Sequence, residues 1–153
     1  MDVQVVEMQD LRVGVVRSDM SHIQEAQGKL WTAVGEADLM DRPGVVAAAF
    51  MPVQIVQEGP RPDMQYAAAV ILPEGVAIPD ELVEDRVAGG RFARATHIGS
   101  YDGLGEAWGK LVGEWLPASG HEVGEGVCFE IYRNSPADVP GDELRTELYV
   151  PVR

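Results

Sequence analysis

Two apolar runs near the end of the chain each carry a carboxylate two residues before a tyrosine: Glu130 with Tyr132, and Glu147 with Tyr149. A spacing of two puts both members of such a pair on one face of a β-strand. A carboxylate enclosed by aromatic rings loses hydration unless something positive or hydrogen-bonding compensates. An organic cation supplies that charge, and tyrosine rings add stacking and cation–π attraction. The same acid could instead act as a general base that activates water, with a tyrosine orienting or protonating the ligand. Glu147 carries the sharper expectation, as a ligand-contacting acid or, in an enzyme, as the base with Tyr149 or Tyr132 beside it. Its plainer alternatives are an internal salt bridge to Arg145 or Arg94 and simple exposure to water.

Strand alternation sorts the neighbours. Thr146, Leu148 and Val150 suit a face beneath helices, which turns Arg145, Glu147 and Tyr149 the other way. In the preceding run Val127, Phe129 and Ile131 are assigned to the helix side, leaving Cys128, Glu130 and Tyr132 opposite. One face is therefore expected to gather two carboxylates and two tyrosines. Aligning Leu72-Pro73 with Val150-Pro151 makes Ala69 the counterpart of Glu147 and Ala67 that of Arg145. Small residues on one side and an acid with aromatics on the other predict a lopsided cavity that admits a flat ligand. Phe50, Met51, Tyr66, Trp31 and Trp108 are its candidate walls. Trp31 and Trp108 also fall on helical stripes, and both read first as core residues.

Other chemistry finds no support. His22, His97 and His121 have no metal-ligand spacing, so neither a metal nor a cofactor is expected. Nucleophile elbows, phosphate loops and dinucleotide fingerprints are missing. Cys128 reads as a semi-buried small residue, with no histidine evidently paired to it.

The elements that must hold these residues come in two copies. Glu25-Ala26-Gln27-Gly28-Lys29-Leu30 returns 81 residues later as Glu106-Ala107-Trp108-Gly109-Lys110-Leu111, five of six letters identical. In the second copy Gly90 to Ile98 reads as a strand, and Ser100 or Asp102 caps a helix whose Leu104, Ala107, Trp108, Leu111, Val112 and Trp115 form an apolar stripe. Pro117 and Gly120 end that helix, and strands follow at Gly126 to Arg133 and Glu143 to Val152. The first copy has a strand at Leu11 to Asp19 and a helix capped by Ser21. Strands at Gly44 to Gln57 and Met64 to Leu72 complete it, and a short extra strand lies near Val3 to Glu7. Pro73 to Asp85 reads as the connection. Gly105, Gly109 and Gly113 recur every fourth residue and predict close approach of this helix to a sheet or another backbone, at about 1 kcal/mol each relative to Ala. The expectation is one α+β domain over 1–153, with half-repeats of about 1–80 and 86–153. Two pseudo-symmetric β-α-β-β units join into one antiparallel sheet with helices on one face and a central ligand cleft; the face without helices is the expected ligand side.

Bulk properties narrow the partners. Twenty-five acids against twelve bases give a net charge of −13, which repels a phosphate backbone and disfavours direct nucleic-acid binding. The same field favours cationic organic molecules, or merely keeps the protein in solution. No apolar run approaches the ~20 residues a membrane helix needs. The N-terminal residues lack a basic leader, and a single cysteine agrees with a reducing compartment, so the expected location is the cytoplasm.

The stretch from His97 through Gly99 and Tyr101 to Trp108 resembles the H-x-G-x-Y strand-to-helix signature of GyrI-like small-molecule-binding domains. Trp115 to Gly120, Phe129 to Asn134 and the closing Arg145 to Val152 continue the resemblance in order, over roughly Gly89 to Val152. Ser100 stands where many relatives have proline. The resemblance implies two β-α-β-β units around a cleft, and a central ligand-contacting acid at Glu147 among aromatics. It also implies a choice of functions. Members include effector domains of AraC- and MerR-type multidrug regulators, DNA gyrase inhibitors, and hydrolases of cyclopropane-bearing DNA-alkylating natural products. Sequestration of hydrophobic, often cationic, aromatic compounds is the leading expectation, and the chain carries no DNA-binding appendage like those of the regulators. Cyclopropane opening with Glu147 as base, and gyrase inhibition through protein contact, are the alternatives.

Overall fold

Runs rich in valine, alanine and aromatic residues, broken by Gly, Pro and Asp, become strands. The computed structural model describes residues 1–153. Its strands are β1 (Val3–Met8), β2 (Leu11–Asp19), β3 (Val46–Pro52), β4 (Gln65–Ile71), β5 (Val83–Val87), β6 (Gly90–Ile98), β7 (Val127–Tyr132) and β8 (Arg145–Pro151). The helices are α1 (Ile23–Glu36), the short α2 (Gln54–Glu58), α3 (Leu104–Lys110) and α4 (Leu116–Ser119). A π-helical segment, Leu111–Trp115, joins α3 to α4. The protein is α+β: one antiparallel sheet in the order β1-β6-β8-β7-β3-β4-β2-β5, with α1 and α3 on one face.

The two units meet where β3 pairs with β7, and each recruits its outer strand from the other end of the sequence. β1 precedes the first unit but pairs with β6, while β5 precedes the second unit but pairs with β2. Val83–Val87 thus lies largely inside the stretch expected to be a connection, and it forms an edge strand. Only Ala88 and Gly89 separate β5 from β6, and only Gln9 and Asp10 separate β1 from β2. Such links span at most about 11 Å, whereas β5 and β6 in a flat sheet would lie about 29 Å apart at a strand spacing near 4.8 Å. The sheet must therefore curl until its edges approach at one end. At that crossing Gly89 N–H donates to Asp10 Oδ1 at 2.7 Å, and a Cβ on Gly89 would stand 2.2 Å from the Met8 carbonyl oxygen.

Curling encloses the face without helices. Val13, Val15, Phe50, Phe92, Phe129 and Tyr149 pack there as one core, with Phe129 and Tyr149 stacked at 4.6 Å. That face was expected to be free for a ligand; most of it is packed with the protein's own side chains, leaving a hollow beside Phe50 and Phe92. Across the sheet, α1 covers a second core around Leu30, Val34 and Val70, and α3 covers a third around Leu111, Leu148 and Val150. Full burial of a residue such as Leu111 contributes about 1.5–3 kcal/mol. With apolar residues on both faces, strand alternation alone could not say which face met the helices.

Two local departures matter. Val53 to Glu58 does not extend β3; the chain turns into α2 and reverses at Gly59, whose φ is 78°. Beyond Leu111 the stripe slips by one residue: Leu116 is buried while Trp115 is only half-buried and stacks on His121. One extra residue in the π turn produces that shift. Ser100 caps the second helical stretch, its side chain accepting from Asp102 N–H at 3.2 Å, whereas Ser21 makes no such cap.

Candidate functional site

Residues directly opposite in a sheet share a face, so strand register decides which side chains meet. Phe129 pairs with Tyr149, Ile131 with Glu147, Glu130 with Leu148 and Tyr132 with Thr146. The two carboxylates therefore lie on opposite faces, correcting the expectation that they share one. Cys128, Glu130 and Tyr132 join Thr146, Leu148 and Val150 under the helices, and Val127, Phe129 and Ile131 turn away.

Between α1 and α3 this helix-side face opens into a cleft of about 710 Å³. Its floor is Met51 of β3, Tyr66 of β4, and Cys128, Glu130 and Tyr132 of β7. Ile23 and Trp108 stand on facing walls, and Ile55, Val56 and Pro60 around α2 close one side. Gly105, Gly109 and Gly113 also line it, and a Cβ built on any of them meets nothing within 4 Å. These glycines were expected to bring the helix close to a sheet or another backbone; instead they leave open space where side chains would fill the cleft.

Of the expected site residues, Glu130, Tyr132, Tyr66, Met51 and Trp108 line this cleft. Glu147, Tyr149, Phe50 and Ala69 belong to the far face. Glu147 Oε1 accepts from Arg133 Nε at 2.7 Å and from the Tyr149 hydroxyl at 3.0 Å. An internal salt bridge was the plainer alternative for this acid, and its partner is Arg133 rather than Arg145 or Arg94. Burial first, and then the Glu147 charge, raise the Tyr149 phenol above its usual range. A second hollow of about 510 Å³ opens on the far face beside Phe50 and Phe92; its charged lining residues are Arg17, Arg86, Arg91 and Arg153 with Asp85 and Glu125, a basic excess unsuited to a cation.

Glu130 is the distinctive group of the cleft. It is 9 % exposed, accepts from Trp108 Nε1 at 2.7 Å on Oε2 and from the Tyr132 hydroxyl at 2.6 Å on Oε1, and forms no salt bridge. Both donors are neutral, so the charge has no counter-ion within the protein. Tyr132 is pushed well above the usual phenol range by burial and then by the Glu130 charge. Tyr101 packs edge-on against Tyr132 at 5.8 Å and is raised by the same two causes in the same order. Burial lifts the Cys128 thiol to about 12, which keeps it protonated and unreactive.

Trp108 does two jobs: it packs against both helix-side cores and ties its ring N–H to Glu130. Trp31, also expected in the core, is 43 % exposed on the outer side of α1. Gln27, the repeat counterpart of Trp108, donates to the Tyr66 hydroxyl at 2.7 Å. Tyr101, Gln27 and the three cleft glycines were not among the expected site residues. For the glycines the fourfold spacing was the visible signal, read for packing instead of space.

A model of the GyrI-like small molecule binding domain matches residues 1–153. The probable transcriptional regulator YgiV of Escherichia coli (strain K12) is 34% identical over 79 residues, about half (49%) of each chain. The fold is shared with the EcmrR C-terminal domain, at TM-score 0.74 and 17% identity over 99% of this chain and 97% of that one. It is shared too with SAV2435, a structure bound to tetraphenylphosphonium, at TM-score 0.70 and 16% identity over 100% of this chain and 94% of that one.

Proposed function

Because the chain belongs to the GyrI-like small molecule binding domain family, we propose that its cleft binds hydrophobic organic cations, with Glu130 as the opposing charge. One observation carries this reading: a buried carboxylate at the floor of a largely apolar cleft is held by two neutral donors and by no base. Burying an ionised acid without a counter-charge is costly. An incoming cation removes that cost, and the Trp108 and Tyr132 rings beside the acid add attraction to its charge. Three glycines supply room for bulky aromatic groups, and no helix of the protein is long and apolar enough to cross a membrane. The tetraphenylphosphonium held by SAV2435 belongs to the same ligand class, and the shared fold makes it a suitable first probe.

Isothermal titration with tetraphenylphosphonium tests the reading. Binding is expected, and Glu130→Gln is expected to weaken it by about 1–3 kcal/mol, the range of contacts to a charged group. A neutral analogue such as tetraphenylmethane derivatised for solubility should be insensitive to the substitution. Failure of the wild type to bind, or unchanged affinity in Glu130→Gln, refutes the assignment.

A further inference from the structure

Tyr66 is 6 % exposed and lines the cleft floor, yet its own proton has no destination within the protein. Its hydroxyl oxygen accepts from Gln27 Nε2 at 2.7 Å, and the direction of that bond is set from outside the cleft. Trp31 Nε1 lies 3.0 Å from Gln27 Oε1, and an indole nitrogen only donates. The Gln27 amide must therefore turn its oxygen toward Trp31 and its NH₂ toward Tyr66. With its oxygen already receiving a proton, the phenol has to direct its O–H elsewhere. The bond from Gln27 is the one hydrogen bond the Tyr66 side chain makes. Burial first, opposed in part by the Gln27 bond, and then the charge of Glu130 raise the phenol above its usual range, so the proton stays in place at neutral pH.

We propose that the Trp31–Gln27–Tyr66 relay makes the cleft selective for organic cations that also carry a hydrogen-bond acceptor, a carbonyl or ether oxygen within reach of Tyr66. The inference rests on the cation reading of the same cleft and adds a second element of recognition. Glu130 takes the charge, and the Tyr66 O–H takes the acceptor. Trp31 and Gln27 are positioning residues: they fix which way the phenol donates.

A matched pair of probes separates the two elements: tetraphenylphosphonium, and its congener in which one ring is 4-acetylphenyl. The wild type is expected to prefer the acetyl compound about three- to tenfold, the range of one net hydrogen bond. Tyr66→Phe should abolish that preference, bringing the ratio of the two affinities to about one whatever it does to the affinity for each probe. Trp31→Phe lets the amide reverse, so that Gln27 Oε1 captures the phenolic proton, and the preference should fall in the same way. In Gln27→Glu the carboxylate accepts from both neighbours, and the ratio should again approach one even though the added charge strengthens both cations. Simple loss of packing would weaken both probes together and leave their ratio intact. Equal binding of the two probes by the wild type, or a preference that survives Tyr66→Phe, overturns the relay while the Glu130 assignment stands. If neither probe binds the wild type, the cation reading fails and this inference with it.

Discussion

Glu130 and Glu147 are chemically identical, similarly buried, and each bonded to a tyrosine two residues on, yet they differ in whether a cation is already present. Glu147 has the Arg133 guanidinium; Glu130 has only an indole and a phenol. Their neutral replacements should therefore act in opposite directions. In Glu147→Gln a half-exposed ion pair is lost, which is expected to lower the melting temperature by a few degrees and leave tetraphenylphosphonium affinity untouched. Glu130→Gln removes an unopposed buried charge, so stability should hold or rise while cation affinity falls. Thermal melts and titrations on the same two variants check both signs. Cys128 gives an independent check of burial beneath the cleft. Its thiol pKa is raised to about 12, so iodoacetamide at pH 8 should leave the folded protein almost unmodified and label it readily in guanidinium.

The helical stretch from Leu104 to Ser119 gives up intrinsic stability for space. Gly105, Gly109 and Gly113 face the cleft with nothing within 4 Å of a would-be Cβ. Gly109→Ala should therefore raise the melting temperature by about 2–4 °C, the equivalent of roughly 1 kcal/mol of helix propensity in a domain of this size. Gly109→Phe, projecting into the same space, should block tetraphenylphosphonium. If Gly109→Phe bound the cation normally, this helix would not be the cleft wall. The elements themselves were legible in the sequence: Leu11–Asp19 and Gly90–Ile98 are strands to the residue, and the repeated helices appear where the apolar stripe puts them. The facing of β7 was not legible. Val127, Phe129 and Ile131 are as apolar as core residues because they are core residues, of the far face. Only pairing register with β8 reveals that Glu130 points into the cleft. The slip from Trp115 to Leu116 was equally hidden, since a π turn leaves no mark in a 3.6-residue pattern.

At the scale of the whole molecule, a net charge of −13 surrounds a cleft whose own floor is acidic. Cations should be drawn in from a distance as well as held at contact. The association rate for tetraphenylphosphonium is accordingly expected to fall as NaCl is raised toward about 1 M, where the Debye length is about 3 Å. Glu130→Gln should keep most of that salt sensitivity, because the rest of the surface charge remains, while its dissociation becomes faster. Stopped-flow tryptophan fluorescence separates the two rates, and Trp108 beside Glu130 is a natural reporter.

The crossing of β1 and β5 to each other's unit has a further consequence. A single unit excised from this chain would carry a leading strand with nowhere local to go and a sheet margin with open hydrogen bonds. Two copies could satisfy both needs by trading those strands, so residues 81–153 made alone should be a reciprocally exchanged homodimer in the ultracentrifuge. The present chain holds two such units in one polypeptide, and both reach the one cleft: the second with Glu130, the first with Tyr66.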